Sequence, residues 1–286
     1  MTGLLLTLAL LTAIKATPII YAALGGVISE RAGVINIGLE GMMAAGAFTA
    51  VIASYYTHDA ILALVAGVAA GAVVGYVLGI AATRFKVDQI VAGTGLNLIC
   101  AGGAAYGLVL IFNQPGASNQ VNALGERYWV LVVLAFAFAI GLHWLLYATP
   151  LGLRIRACGE NPAAAKSAGL DPLALRTYAV VLSGALAGLG GAFLSVGELN
   201  LYSDGMTAGR GFIALAAVIF GRWTPLGATV AAIVFGLFEA LQFVLQGRVP
   251  WLPPSAMQAL PYVAALIALA GVTGKVRAPA SDGVPY

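Results

Sequence analysis

The stretch AILALVAGVAAGAVVGYVLGIAAT, Ala60 to Thr83, carries no charge from end to end. Crossing the hydrocarbon of a bilayer takes about 20 apolar residues in one helix, and this stretch supplies them. Within it Gly67, Gly71, Gly75 and Gly79 recur every fourth residue and so share one smooth face. Gly184 and Gly188 repeat the spacing further along. Lipid gives helices no hydrophobic reason to associate, so close backbone approach along small faces has to hold them together. The glycine face is read first as packing within the chain and second as a contact between subunits.

The same yardstick, carried outward, places spans at 2–28, 33–55, 60–83, 89–112, 128–148, 177–197, 209–221, 226–246 and 258–274. The expected fold is all-α, a polytopic transmembrane helix bundle of about nine spans in a single domain over residues 1–286. Lys15 and Pro18 predict a kink or two half-helices in the first span. The seventh span is too short to cross straight and reads as re-entrant or broken. Two glycine-punctuated segments, GVINIGLEGMMAAGAF (Gly33 to Phe48) and GMTAGRGFIALAAVIFGRWTPLG (Gly205 to Gly227), occupy comparable places in the two halves. Such a pairing points to an internal repeat around a central pathway.

Composition agrees. The chain is 61% hydrophobic and only 9% charged, with a mean hydropathy of +0.96, whereas soluble domains are roughly 25% charged. That is too little charge to clothe a water-soluble globule. A net charge of +3, scattered along the chain, argues against nucleic acid as a partner. Cys100 and Cys158 lie in different settings and read as two free thiols. With the N-terminus outside, the inner segments collect Arg31, Arg84, Lys86, Arg154, Arg156, Lys166, Arg176, Arg222, Lys275 and Arg277, against Arg127, Arg210 and Arg248 outside. This excess puts the C-terminus and the long 149–176 loop in the cytoplasm.

Enzyme chemistry has little to work with. Two histidines, His58 and His143, stand apart, with no HExxH, no CxxC and no GxxxxGK[ST]. No metal or cofactor is expected on this chain, and it is not read as an enzyme. Polar groups inside spans are the functional candidates, since burying them without partners is costly. Glu40, between Gly38 and Gly41, has Asn36 one turn before it, and the flanking glycines suggest loosened backbone facing a water-filled cavity or a neighbouring helix. Asn97 in TGLNLIC, and Glu239 with Gln242 in EALQ, complete the set; the last two share a helix face and could hydrogen-bond to hold the bundle or else meet substrate. Between spans, TPLGLRIRACGENPAAAKSAGLDPLALR (149–176) is the longest polar segment. Asn161 as N-cap with Pro162 first, alanines through Lys166 and a stop at Gly169 predict a short surface helix suited to a cytoplasmic partner. Asp171-Pro172 then starts the helix leading into the sixth span.

Taken together, GGVISERAGVINIGLEGMMAAGAF (Gly25 to Phe48), DQIVAGTGLNLI (Asp88 to Ile99), PLGLRIRACGENPAAAKSAGLD (Pro150 to Asp171), GRGFIALAAVIFGRWTPLGA (Gly209 to Ala228) and FGLFEALQ (Phe235 to Gln242) resemble ABC importer permeases of the ribose and branched-chain amino acid superfamily. The likeness runs over nearly the whole chain and is nearest to the smaller permease of simple-sugar-type nucleoside importers. It implies a bacterial inner-membrane subunit that works with a second, larger permease, an ABC ATPase that uses the ATP, and an extracellular or periplasmic substrate-binding protein or lipoprotein. By the same resemblance Gly159 to Gly169, with Glu160, Asn161, Pro162 and Lys166, is the segment that docks into the ATPase. Asn36, Glu40 and Asn97 then lie near the central pathway. Phe48 and Phe212, with Asn97, are candidates to meet the flat ring and polar rim of a nucleoside. A ribose- or galactose-type sugar is the alternative cargo, and an ion-coupled transporter using Glu40 is a further one.

Overall fold

The computed structural model describes residues 2–246, 259, 263, 277–284 and 286. Among these the chain is helical: α1 Thr2–Arg31, α2 Leu39–Thr57, α3 Ala60–Thr83, α4 Gln89–Phe112, α5 Tyr128–Ala148, α6 Pro150–Glu160, α7 Pro162–Ser167, α8 Pro172–Ala192, α9 Arg210–Phe220 and α10 Pro225–Gln246. A 3-10 turn, Gly125–Arg127, leads into α5, and α8 continues into π-helical turns over Phe193–Leu199. The expected span at 258–274 lies, but for residues 259 and 263, outside the described residues.

Short polar side chains set the helix starts. Asp59 accepts from the amides of Ile61 and Leu62, Asp88 from Ile90 and Val91, and Asp171 from Leu173 and Ala174. Each satisfies amides that a helix N-terminus leaves open. α2, α4 and the π-turns end at His58, Asn113 and Asn200, all in the left-handed conformation.

Six of these helices are long and apolar enough to cross a membrane: α1, α3, α4, α5, α8 with its π-turns, and α10. α9 is apolar but short. α2, with Glu40 in its first turn, is enclosed by α3, α4 and α8. α8 lies at the centre against α1, α2 and α3, while α9 and α10 cover α1 from another side. The glycine face does what its spacing foretells inside the chain. A Cβ built on Gly71 or on Gly188 would overlap the backbone of the facing helix, and one on Gly75 would sit 2.6 Å from the Val180 carbonyl oxygen. α3 and α8 therefore touch backbone to backbone, where dispersion is strongest.

Three expectations change. α1 runs unbroken through Pro18 rather than as two half-helices, being held by α5, α8, α9 and α10 along its length. The second span begins at Leu39, since Ala32–Gly38 is not helical. The 149–176 loop contains a full helix, α6, ahead of the short one foreseen.

Candidate functional site

Between the end of α1 and the start of α2, backbone groups lose their helical partners, and in a low-dielectric setting each has to find another. Side chains from α4 and α1 supply them. Gln89 Oε1 accepts from the Ile35 amide at 2.7 Å, Asn97 Oδ1 accepts from the Gly41 amide at 2.7 Å, and Asn97 Nδ2 donates to the Ile37 carbonyl at 3.0 Å. Ser29 Oγ donates to the Val34 carbonyl at 2.6 Å. Asn36 is wholly buried; its Nδ2 donates to Ser183 Oγ on α8 at 2.8 Å, and its Oδ1 has no hydrogen-bond donor. Gly33, at φ +94°, turns the chain where a Cβ would meet the Arg176 guanidinium at 2.6 Å.

Glu40 joins this break to α9. Its Oε1 accepts from the Gly209 amide at 2.9 Å and its Oε2 from the Gly211 amide at 2.7 Å, so the carboxylate caps the N-terminus of α9. Of the two roles open to Glu40, the geometry furnishes partners for packing. Arg210, between the two glycines, reaches Glu239 of α10 in a buried ion pair. That pair ties α10 to α9, in keeping with a bundle-holding role for Glu239; Gln242 is half-buried one turn on. It also corrects the placing of Arg210 in an outer loop, for it lies inside the bundle. A second buried pair joins Lys15 of α1 to Glu198, with the Lys15 ammonium 4.4 Å from the Phe243 ring centroid. These pairings were missed, yet the signal is elementary: a charge within an apolar run needs an opposite one nearby.

Phe48 sits further along α2, edge-on to Tyr202 with centroids 5.2 Å apart, and its ring fills the space that Gly107 leaves on α4. Phe212, beside Gly211, is 48% exposed. Asn36, Glu40 and Asn97 thus converge at the α1–α2 break and Glu239 joins them through Arg210, whereas Phe48, Phe212 and Gln242 stand apart from them.

At the same end of the molecule α6 and α7 form a hairpin. Asn161 Oδ1 accepts from the Ala164 amide at 3.0 Å, Pro162 is first in the helix, and Gly169, at φ +81°, ends it, as its sequence foretells. Lys166 is exposed, while Gly159 is buried so closely against α1 that a Cβ there would overlap the Arg31 carbonyl. Glu160 Oε2 accepts from the Ala280 amide at 3.3 Å. Cys158 and Cys100 are both free thiols, and burial pushes the Cys158 thiol up, away from its reactive form.

Comparison with known proteins places these features in context. The family model described as branched-chain amino acid transport system / permease component matches residues 8–269. The chain is 37% identical to the nucleoside ABC transporter permease protein NupC of Lactococcus lactis subsp. cremoris, covering 96% of this chain and 94% of that one. It is 36% identical to the guanosine ABC transporter permease protein NupQ of Bacillus subtilis over the same shares. A putative glucose ABC transporter permease protein, TsgC13 of Haloferax volcanii, is 34% identical over 84% of this chain and 78% of its own.

Proposed function

The chain belongs to the branched-chain amino acid transport system permease component family, and from that premise we propose that it passes nucleosides across the cell membrane as one permease subunit of an ABC importer. The observation that carries this reading is the likeness, over 96% of the chain, to a nucleoside and a guanosine permease. It is a transport subunit, with ATP bound and hydrolysed by a partner ATPase and no cofactor of its own. A substrate-binding protein outside and a second, larger permease beside it complete the assembly. The finer topology belongs to the same reading: about nine membrane segments, the N-terminus outside, and two related broken-helix halves. The meeting of the α2 and α9 N-termini at Glu40 supports the pairing of those halves.

In this mechanism the α6–α7 hairpin is the coupling segment. Gly159, Glu160, Asn161, Pro162, Lys166 and Gly169 shape a rigid, capped surface that the ATPase grips. Because Gly159 abuts the end of α1, movement of the hairpin reaches the α1–α2 break directly. There Asn36, Glu40 and Asn97 act as positioning groups that keep a non-helical segment stable beside the pathway. Phe212, half exposed, is placed to offer a face to a passing ring, while Phe48 is packed between Tyr202 and Gly107. The ion-coupled alternative loses support because both Glu40 oxygens already accept from amides.

The test is uptake by the importer reconstituted with its ATPase in proteoliposomes. Guanosine and adenosine should accumulate with ATP and not with a phosphate-loop lysine variant of the ATPase. Uptake of glucose or ribose with nucleosides ignored would move the chain to the sugar reading, which the 34% likeness to the putative glucose permease favours. Uptake that persists with the disabled ATPase would overturn the importer mechanism itself.

A further inference from the structure

Arg176, near the start of α8, is only 2% exposed, yet among the described residues no carboxylate bonds to it. Its guanidinium donates instead to four backbone carbonyls from three separate segments: Ala32 at 3.0 Å, Val284 at 3.0 Å, Ser281 at 3.3 Å and Cys158 at 3.4 Å. Ala32 opens the α1–α2 break, Cys158 belongs to the end of α6, and Ser281 and Val284 belong to a strap, residues 279–284. The strap adds bonds of its own. The Ser281 amide donates to the Gly159 carbonyl at 2.8 Å, Ser281 Oγ to the Glu160 carbonyl at 3.3 Å, and the Ala280 amide to the Glu160 carboxylate at 3.3 Å. On its other side Gly283 lies on Ile35, where a Cβ would stand 2.7 Å from Cδ1.

A buried guanidinium holding only carbonyls is a joint rather than an ion pair. Its planar fork fixes three chain segments at set angles, which the single ammonium of a lysine does not reproduce. Gly159 and Gly283 bring backbone against α1 and against Ile35 with no room for slack. The end of the hairpin, the break and the strap therefore share one rigid seat. Among these segments only the hairpin also presents an exposed, capped helix to the outside.

We propose that Arg176 and the 279–284 strap form the transmission joint that makes the α1–α2 break follow the α6–α7 hairpin. Arg176 is a positioning residue, and the strap is a working part of the importer. The inference rests on the hairpin being the segment that the ATPase grips.

The experiment reads the joint without relying on the cargo. In a Cys100→Ala, Cys158→Ala background, Ile37→Cys is labelled with a maleimide in the assembled importer, with and without trapping by ATP and vanadate. The intact strap should give a labelling change of about fivefold or more, the lower edge of ordinary coupling between sites. Deletion of residues 279–284 should abolish that change while ATP hydrolysis and co-purification of the ATPase persist. Arg176→Lys should reduce it, which guards against a deletion that merely unfolds. A full labelling change in both variants overturns the joint, as does a break that never responds to trapping in the intact chain. Loss of ATPase co-purification in the deletion also overturns it, because the strap would then serve docking. The hairpin reading is judged separately: an Asn161→Ala, Lys166→Ala pair that leaves ATPase binding unchanged contradicts it and leaves the strap result standing.

Discussion

At the scale of single residues, the polar groups inside this protein are occupied chiefly with backbone. Glu40 is the sharpest case, since removing its carboxylate leaves the Gly209 and Gly211 amides unmet in a non-aqueous layer. Glu40→Ala should cost about 1–3 kcal/mol, the usual penalty for stranded buried partners, seen as a lower unfolding temperature in detergent. Glu40→Gln, which keeps one acceptor, should lose less and still transport. Normal stability with abolished uptake in both variants would show that Glu40 meets the cargo instead. Asp282 in the strap allows a second test. Burial pushes its carboxyl from the ordinary 3.8 up to about 7, against the lowering effects of the Arg176 charge and the Gly283 amide; the Glu30 carboxyl of α1 also lies within its electrostatic reach. An acid whose folded value is raised favours the docked state when protonated, so this contribution is fully present below the unfolded value and is lost as pH rises through about 7. A spin label at Ala280→Cys should therefore be more mobile at pH 8 than at pH 6, and Asp282→Asn should flatten the difference. Equal mobility at both pH values in the unmodified strap would refute the assignment.

At the scale of elements, the contacts follow from what a helix face offers. α3 and α8 come closest where glycines face each other, so Gly188→Leu forces backbone apart along the α3–α8 seam. Overpacking of this kind costs about 1–3 kcal/mol or more, and the folded yield should drop. Gly103, on α4, has nothing within 4 Å; Gly103→Ala should leave the chain's folding unchanged. Equal loss at both positions would mean that the seam is not what holds α3 to α8. In α7, Asn161→Ala removes the cap from a six-residue helix, too short to persist on propensity. The loss is about 1 kcal/mol of helix stability, read as a severalfold fall in uptake with normal membrane insertion; full uptake would count against a docking role for this helix. These elements were legible because length and spacing alone write them: 60–83, 89–112 and 128–148 coincide with α3, α4 and α5, and Asn161-Pro162 starts α7. α6 was not legible, because Pro150–Glu160 mixes Arg154, Arg156 and Glu160 with apolar residues and lies outside any span-length run. Nor was the closure of α1 over Pro18, which depends on neighbours rather than on local sequence.

At the scale of the whole molecule, hydrogen bonds sort the loops into two ends without any membrane being present. At one end Asn122 donates to the His58 carbonyl, and Ser118 pairs with Tyr202. At the other, Arg31 bonds to Arg222, Trp223 and Tyr147, Gln89 to Ile35, and Arg176 to Cys158 and the strap. The sequence could list which cations lie between spans, but it could not say that Arg210 turns inward to Glu239, since a short helix beginning inside the bundle looks like a span with a loop before it. With Arg210 removed from the outer count, the asymmetry sharpens. Arg31, Arg84, Lys86, Arg154, Arg156, Lys166, Arg176 and Arg222 attach to the hairpin end, and among the described residues Arg127 stands near the opposite one. Cationic loops stay on the cytoplasmic side, so the hairpin end should face the cytoplasm, where an ATPase can reach it. In intact cells, an impermeant thiol reagent should label Asn119→Cys readily and Lys166→Cys only after the membrane is opened, both in a Cys100→Ala, Cys158→Ala background. Labelling in the reverse order would place the hairpin outside, beyond the reach of any cytoplasmic ATPase, and the importer mechanism would have to be abandoned with it.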